Sequence, residues 1–574
     1  MSEMTGAEAL VRCLINEGVR YVFGIPGDQC GPITDAIHRV GRESGLEFIT
    51  TRHEQAAAHM ADAWARVSGQ PGVCLATVGP GVADLVPGVY TAWADSIPIV
   101  VLGAQNQTWR IYPDHGSMQS LDQVSLMTPV TKWRALVGDV RRMPQLTQWA
   151  FRAATSERPG PVYLDLPSNV LCARLDTEEY PILPAGRYRA TTPPMADTAM
   201  IEEAADMLVA AEWPLLHAGS GVLRSGAWKE LVQLAEYLSA AVTTSMGGRG
   251  AIPEDHPLCL IPVGFGALGA QATADVVLLI GGRMGDMEFW GKPPAWGTPE
   301  EQKWIQVDIA PGSIGLNRPV DLALVGDAKA TLRALLGAVK ARTGPKKENA
   351  QFDDAREAQA AWLRQWEEGA HSESTPIHPL RLVREVRDFF PREAIMCADG
   401  GTTAVWAYYL NRIFEPRTFL WAADSGHLGS GLPYAIGAKL ARPEVPVYCI
   451  TGDGSFGFNA MELETARRLG TPVVIIIAND HGWGMIRSAQ KAVHGERYIG
   501  VDFDPDTRYD KLAEALGCYG ELVTAPDQIR PALQRSVDSG LPAVLDVRVD
   551  VEIHGFPPDL EVLDGLWMEG CERE

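Results

Sequence analysis

The chain has 574 residues, 46% of them hydrophobic and 21% charged, and carries a formal net charge of -22. One hydrophobic core stops growing beyond about 250–300 residues, so a chain of this length divides, and three domains are expected. The negative charge disfavours nucleic acid and anionic membrane surfaces as partners, and no run approaches the roughly 18 uninterrupted apolar residues of a membrane span.

Residues 1–19 carry acids early and show helix periodicity, without the basic region and apolar core of a signal peptide. Nine cysteines are scattered without a C-x-x-C pair. Together these features predict a reduced, cytoplasmic protein. Over 1–182 the apolar β-rich runs VRYVFGIP, LEFITTRHE, GVCLATVGPG, IPIVVLGA and GPVYLDLP alternate with helical patterns, as in a parallel sheet covered on both faces. The stretch Pro181 to Pro194 reads as a linker.

The alternation resumes over 195–340 with WPLLHAGSG, AVTTSM, DVVLLIGG and KWIQVDI, and ends before the polar run ARTGPKKENAQFDDAREAQ. A third unit, 372–550, holds EAIMCADGG, FLWAADSG, VPVYCITGDG, PVVIIIAND and PAVLDVRVD. The predicted fold is therefore α/β, with three doubly wound parallel-sheet domains. Residues 551–574 form a tail or a lid, with Leu563, Leu566, Trp567 and Cys571 on or near one helical face.

In the third unit, Gly452-Asp453-Gly454-Ser455 stands at a predicted strand end. A helical stretch, an apolar strand and Asn479-Asp480-His481-Gly482 follow. Glycines around an acid let backbone amides approach a diphosphate, and two carboxylates at strand ends can meet on one hard cation, so Asp453 and Asp480 are candidate magnesium ligands. Either segment alone reads as an ordinary turn.

In the first unit, Thr51-Arg52-His53-Glu54-Gln55 opens the Ala-rich helix AAAHMADAWARVSG. A charged Glu entering a buried helix is costly unless paired, although an acid at a helix start is also favoured by the dipole. HEQAAAH is not a zinc site, because Ala57 stands where the metalloprotease pattern needs His.

The paired segments at 452–455 and 479–482 resemble the thiamine diphosphate motif. RHEQAAAHMADAWAR followed by ATVGPGVADLVPGVYTAWADSIPIVVLGA resembles the pyrimidine-binding domain of the acetohydroxyacid synthase and pyruvate oxidase group. The resemblance implies thiamine diphosphate and Mg2+ as cofactors, with the Gly482 carbonyl as a third metal ligand. Gly452, Gly454, Ser455, Gly482, Trp483 and Met485 would line the cofactor.

It also implies that Glu54 hydrogen-bonds N1′ of the aminopyrimidine, driving the 4′-amino group to the imino form that takes the C2 proton. Asp424 to Pro433 resembles the segment that shapes the cofactor: the Gly426 carbonyl accepts from the 4′-amino group and Leu428 sits under the bend. Asp399-Gly400-Gly401-Thr402-Thr403 matches the second diphosphate-side loop.

Substrate-facing positions implied by the same match are Asp28, His115, Gln119, Met485 and Ile486. The chain departs from its relatives here. Pyruvate-type decarboxylases place Glu at Ile486, and acetohydroxyacid synthases place Trp at Ala489 and Phe at Met118.

In the central unit, Gly282-Arg283, Val307-Asp308-Ile309 and Gly326-Asp327 stand at strand ends, and Asp308 suits a ribose hydroxyl pair. GRMGDMEFWGKPP resembles oxalyl-CoA decarboxylases and 2-hydroxyacyl-CoA lyases, which implies ADP rather than FAD, or else a vestigial site.

The leading expectation is an acetolactate-synthase-like enzyme that decarboxylates a 2-oxoacid and transfers the resulting carbanion to a carbonyl acceptor. A lyase acting on a 2-hydroxyacyl-CoA is the alternative, and an inactive regulatory subunit is the alternative from another class. A homodimer or homotetramer with active sites shared between subunits is implied.

Overall fold

The computed structural model describes residues 3–111, 113, 115–262, 264–347 and 350–553. Nearly all of the tail anticipated at 551–574, including the four residues placed on one face, lies outside them.

The first domain is a six-stranded parallel sheet in the order β3-β2-β4-β5-β7-β6. Its strands are β2 (Tyr21–Gly24), β3 (Glu47–Thr50), β4 (Gly72–Ala76), β5 (Ile99–Gln105), β6 (Trp133–Leu136) and β7 (Val162–Pro167). A short antiparallel pair, β1 (Glu3–Thr5) with β8 (Arg174–Asp176), closes one side. The central domain is a five-stranded parallel sheet, β10-β9-β11-β12-β13. It comprises β9 (Pro214–Ala218), β10 (Ala241–Thr244), β11 (Val276–Ile280), β12 (Lys303–Asp308) and β13 (Leu322–Val325).

The third domain repeats the winding of the first, as β15-β14-β16-β17-β19-β18. Its strands are β14 (Ile395–Asp399), β15 (Phe419–Leu420), β16 (Val447–Gly452), β17 (Val474–Asn479), β18 (Tyr519–Val523) and β19 (Ala543–Arg548). In each sheet the strand order reverses beside the first strand: β2 against β4, β9 against β11, β14 against β16. Ligands of open α/β sheets bind beyond the carboxyl ends of the strands at such a point. All three domains therefore present one candidate crevice each.

Strands buried on both faces are near-continuous apolar runs, as in β5 and β7, where every residue is buried. Of the six edge strands of these sheets, β6, β13 and β18 were not anticipated from the sequence. Each has one neighbour only and is half-exposed, so WRAL, LALV and YGELV lack that signature.

The first and third domains share a core. The helix Glu54–Ser68 packs on the helix Gly431–Ala441 so closely that a Cβ on Gly437 would lie 2.6 Å from the Met60 carbonyl oxygen. The Ala-rich composition of the first helix is thus a packing requirement. It fixes Glu54, which opens one helix, relative to the segment that leads into the other.

The central and third domains are joined by Arg249, fully buried, which donates to Glu254 at 2.6 and 2.7 Å and to the carbonyls of Tyr408 and Asn411. Glu254 in turn accepts from the Ile413 amide at 2.8 Å.

Candidate functional site

Three groups of side chains stand at the three crevices. In the third domain β16 ends at Gly452, and Asp453 opens the helix Asp453–Asn459. The neighbouring β17 ends at Asn479, followed by Asp480. Asp453 is 2% exposed and its Oδ1 has no hydrogen-bond partner. Burial and the adjacent Asp480 carboxylate push its pKa up, and burial does the same to Asp480.

Two carboxylates held together in a dry site are an electrostatic cost without a cation between them, which is the arrangement a hard divalent ion reverses. Among the described residues no group of three or more His, Cys, Asp or Glu is placed to hold a metal ion. Further ligands would have to be backbone oxygen, water or phosphate, as suits magnesium.

The floor of this crevice is glycine because nothing larger fits. A Cβ on Gly454 would lie 2.6 Å from the Trp483 ring, one on Gly401 2.8 Å from Met485 Cβ, and one on Gly400 3.0 Å from Ser455 Oγ. On Gly484 it would meet the Asp480 carboxylate and on Gly482 the Val501 carbonyl. Gly400, Gly401, Thr402, Gly452, Gly454, Ser455, Gly482, Trp483 and Met485 thus gather round the two aspartates. Thr403 continues the backbone of the helix Thr402–Leu410. The residues present fit a diphosphate with its cation: backbone amides at a strand-to-helix turn, two acids, and no side chain in the way.

Gly426 has φ +60 and open space where a Cβ would stand. Leu428, two residues on, is half-buried. Between them His427 stacks edge-on against His59 at 5.1 Å between ring centres. Both nitrogens of His59 and Nδ1 of His427 are buried without a partner, and burial lowers the pKa of each ring, keeping both neutral.

Glu54 is the first residue of its helix and is 8% exposed. Burial raises its pKa, and Asp84 adds to the rise against the pull of its own backbone amide and His53. A Cβ on Gly81 would lie 3.2 Å from Glu54 Oε1, so the carboxylate rests on bare backbone. The turn before it is gripped by the third domain. Glu462 accepts from the Arg52 and His53 amides at 2.8 and 3.1 Å, and Arg468 donates to the Thr50 carbonyl at 2.6 Å.

Of the substrate-facing candidates, Asp28 and Gln119 stand at the first domain's crevice. Gly27, before Asp28, packs on Thr77. Gly79 packs on Gln119, whose backbone holds φ +59. His115 is exposed, and among the described residues its hydrogen bond is to the Trp109 carbonyl, at 3.4 Å, outside that group. Ile486 and Met485 lie on the helix Gly484–His494 of the third domain, with Ile486 52% exposed.

The central crevice opens into a cavity of about 790 Å³. The ends of all five strands line it, with Ser220, Gly282, Arg283, Asp308 and Asp327 among them, and Arg66 and Asp424 from the other two domains. His217, 1% exposed, borders it with an unpartnered Nε2. Burial raises the Asp308 carboxyl although the Ala310 amide binds it at 2.8 Å, and burial raises Glu288 to about 7.

Sequence reasoning missed Arg283 as a three-domain link. Its Nη2 donates to the Ala94 carbonyl at 2.9 Å and to Asp424 at 2.7 Å. It also missed Glu462, whose partners are remote in sequence.

Comparison with known proteins agrees with this division. Residues 4–126 match the thiamine pyrophosphate enzyme N-terminal TPP-binding domain, 201–335 the central domain and 399–547 the C-terminal TPP-binding domain. A probable acetolactate synthase large subunit of Methanocaldococcus jannaschii is 36% identical, covering 95% of this chain and 92% of its own. The acetolactate synthase large subunit of Haemophilus influenzae is 34% identical over 97% and 96% of the two chains. The isozyme 3 large subunit of Escherichia coli is 32% identical over the whole of both. No described helix is long and apolar enough to cross a membrane. With profiles covering all three domains and relatives matched from end to end, the chain belongs to the thiamine pyrophosphate-dependent enzymes, in the family of the acetolactate synthase large subunits.

Proposed function

We propose that the protein catalyses an acetolactate-synthase-type carboligation: one 2-oxoacid loses carbon dioxide and the remaining acyl carbanion is joined to the carbonyl carbon of a second. Two 2-oxoacids give one 2-hydroxy-3-oxoacid and carbon dioxide, with one proton taken up and no oxidant needed. The observation that carries this reading is the adjacent carboxylates of buried Asp453 and half-buried Asp480 above a glycine floor, in a chain that also buries Glu54 at a helix start. Thiamine diphosphate, when bound, supplies a nucleophilic thiazolium carbon that adds to a carbonyl and holds the electron pair left by carbon dioxide.

The chain's own residues do the rest. Asp453, Asp480 and the Gly482 carbonyl would hold Mg2+. The amides around Gly400, Gly401, Gly452 and Gly454 would receive the diphosphate, and Ser455 and Thr402 would border it. Glu54 would hold a proton at the pyrimidine nitrogen, the Gly426 carbonyl would orient the amino group, and Leu428 would support the ring from below. Ile486 brings no acid to the reacting carbon. That favours capture of a second carbonyl over protonation, and the named relatives are likewise synthases.

An inactive subunit is disfavoured because Glu54, Asp453, Asp480 and Leu428 are all present. Turnover of pyruvate measured beside a panel of 2-hydroxyacyl-CoA thioesters tests the assignment. Acetolactate from pyruvate is expected, and activity confined to the thioesters would overturn it.

Large exposed apolar side chains occur in both outer domains: Trp109 and Met118 in the first, Phe458, Ile486 and Ile499 in the third. Single exposed apolar residues are common, but a set ringing catalytic crevices suits contact with a second copy. It supports a homodimer or homotetramer in which each active site is shared.

The central cavity suits a nucleotide, with Asp308 at the ribose and arginines for phosphate. GRMGDMEFWGKPP favours ADP over FAD. Protein purified and then denatured is expected to release ADP and to show no flavin absorbance, whereas a yellow protein would contradict this.

A further inference from the structure

The segment Asp424 to Ser430 has no secondary structure of its own, yet Leu428 within it must stand at a fixed height over the metal-side strand ends if it is to support a bent cofactor. Two side chains, one at a strand end and one at a helix end, tie it down. Asp399, the last residue of β14 and 2% exposed, accepts from the Gly429 amide at 3.2 Å and from the Gly431 amide at 2.8 Å. Asn459, the last residue of the helix that Asp453 opens, donates from Nδ2 to the Gly429 carbonyl at 2.7 Å.

Both polar backbone atoms of Gly429 are thereby held, one by the strand that leads into the Gly400–Thr403 loop and one by the metal-ligand helix. The fit is close on every side. A Cβ on Gly431 would lie 2.6 Å from Cys449 Sγ and 2.8 Å from Asp399 Cβ, and one on Gly429 would collide with Phe458. Gly429 itself holds φ +86, which a larger residue adopts at a cost.

We propose that Asp399 and Asn459 clamp Gly429 and so are positioning residues that set Leu428 at its working distance from the diphosphate and metal end of the site. This rests on the assignment of Leu428 as the support of the bent cofactor. The clamp acts on the angle between the two ends of the cofactor and leaves its anchorage untouched.

Two variants separate those effects. Asn459→Asp keeps the shape but turns an oxygen toward the Gly429 carbonyl. Because Asn459 Oδ1 has no partner in the parent, no other hydrogen bond is lost. Asp399→Asn removes one of the two acceptors. Without cofactor, amide hydrogen exchange over 425–433 should quicken in both. Calorimetric affinity for thiamine diphosphate with Mg2+ should stay within about threefold of the parent, well under a tenfold step of 1.4 kcal/mol. Exchange of the cofactor's C2 proton should slow about 10²-fold, the scale of an ångström-sized misplacement. In turnover kcat should fall with little change in KM.

C2 exchange at the parent rate despite loosened amides would overturn the clamp, and so would an affinity loss that tracks the rate loss. Should Asp399→Asn not fold, Asn459→Asp decides alone. A Glu54→Gln control that exchanges as fast as the parent would instead discredit the cofactor assignment itself, while the amide and affinity results still judge the clamp.

Discussion

Asp453→Ala is expected to abolish retention of thiamine diphosphate, with an affinity loss in calorimetric titration with Mg2+ of more than about 100-fold, beyond the range typical of mutating outer-shell partners of a metal site. Asp453 supplies one of two anions in a crevice where the other polar groups are backbone atoms and the hydroxyls of Thr402 and Ser455. Removing it leaves a divalent cation and a diphosphate under-neutralised in a dry site. The same substitution removes a carboxyl group that burial and the neighbouring Asp480 carboxylate raise in the free protein, and leaves Asp480, which burial raises. The unfolding midpoint without cofactor should therefore hold or rise while binding disappears, a combination that misfolding does not produce. Unchanged affinity would remove Asp453 from the metal site.

Glu54→Gln is expected to lower turnover by about 10²–10⁴-fold, the usual contribution of a positioned acid–base group, with cofactor affinity nearly intact. Gln keeps the size and can hydrogen-bond, but it cannot exchange a proton. The environment is suited to this role: the carboxylate is 8% exposed, rests against the backbone of Gly81 and is raised by burial toward protonation. The competing idea, a helix acid held by the dipole, predicts a small loss of stability and no loss of rate.

What the sequence revealed was local. Gly452-Asp453 and Asn479-Asp480 are short strand-end patterns whose chemistry is carried by adjacent residues, and the continuous apolar runs marked the inner strands. Three of the six edge strands escaped because one neighbour demands less apolarity: β13 alternates Leu-Ala-Leu-Val with every second residue exposed. The polar run after residue 341 read as a break, yet Ala350–Arg364 is a helix that buries Phe352, Ala355 and Trp362 and is tied to the central domain by Gln359 and Arg356. The helix anticipated from FNAMELETARRLG is two, Asp453–Asn459 and Glu462–Leu469, and Asn459 at the division reaches across to Gly429.

Within the site, the two aspartates and Glu54 were readable. The groups that hold them were not, because their partners are distant in sequence: Glu462 with Arg52, Asp399 with Gly429, Arg283 with Asp424. Pairings of this kind depend on how helices and domains pack, which no local pattern encodes.

The most direct measurement of the central claim is exchange of the C2 proton of bound thiamine diphosphate for deuterium, read by acid quench and NMR. It requires no knowledge of the substrate and reports only whether the protein activates the cofactor through Glu54. The parent should exchange rapidly and Glu54→Gln slower by about 10²–10⁴-fold with the site equally filled. Equal rates in the two proteins would show Glu54 to be a structural helix acid and would contradict the assignment of this crevice as the site of cofactor activation.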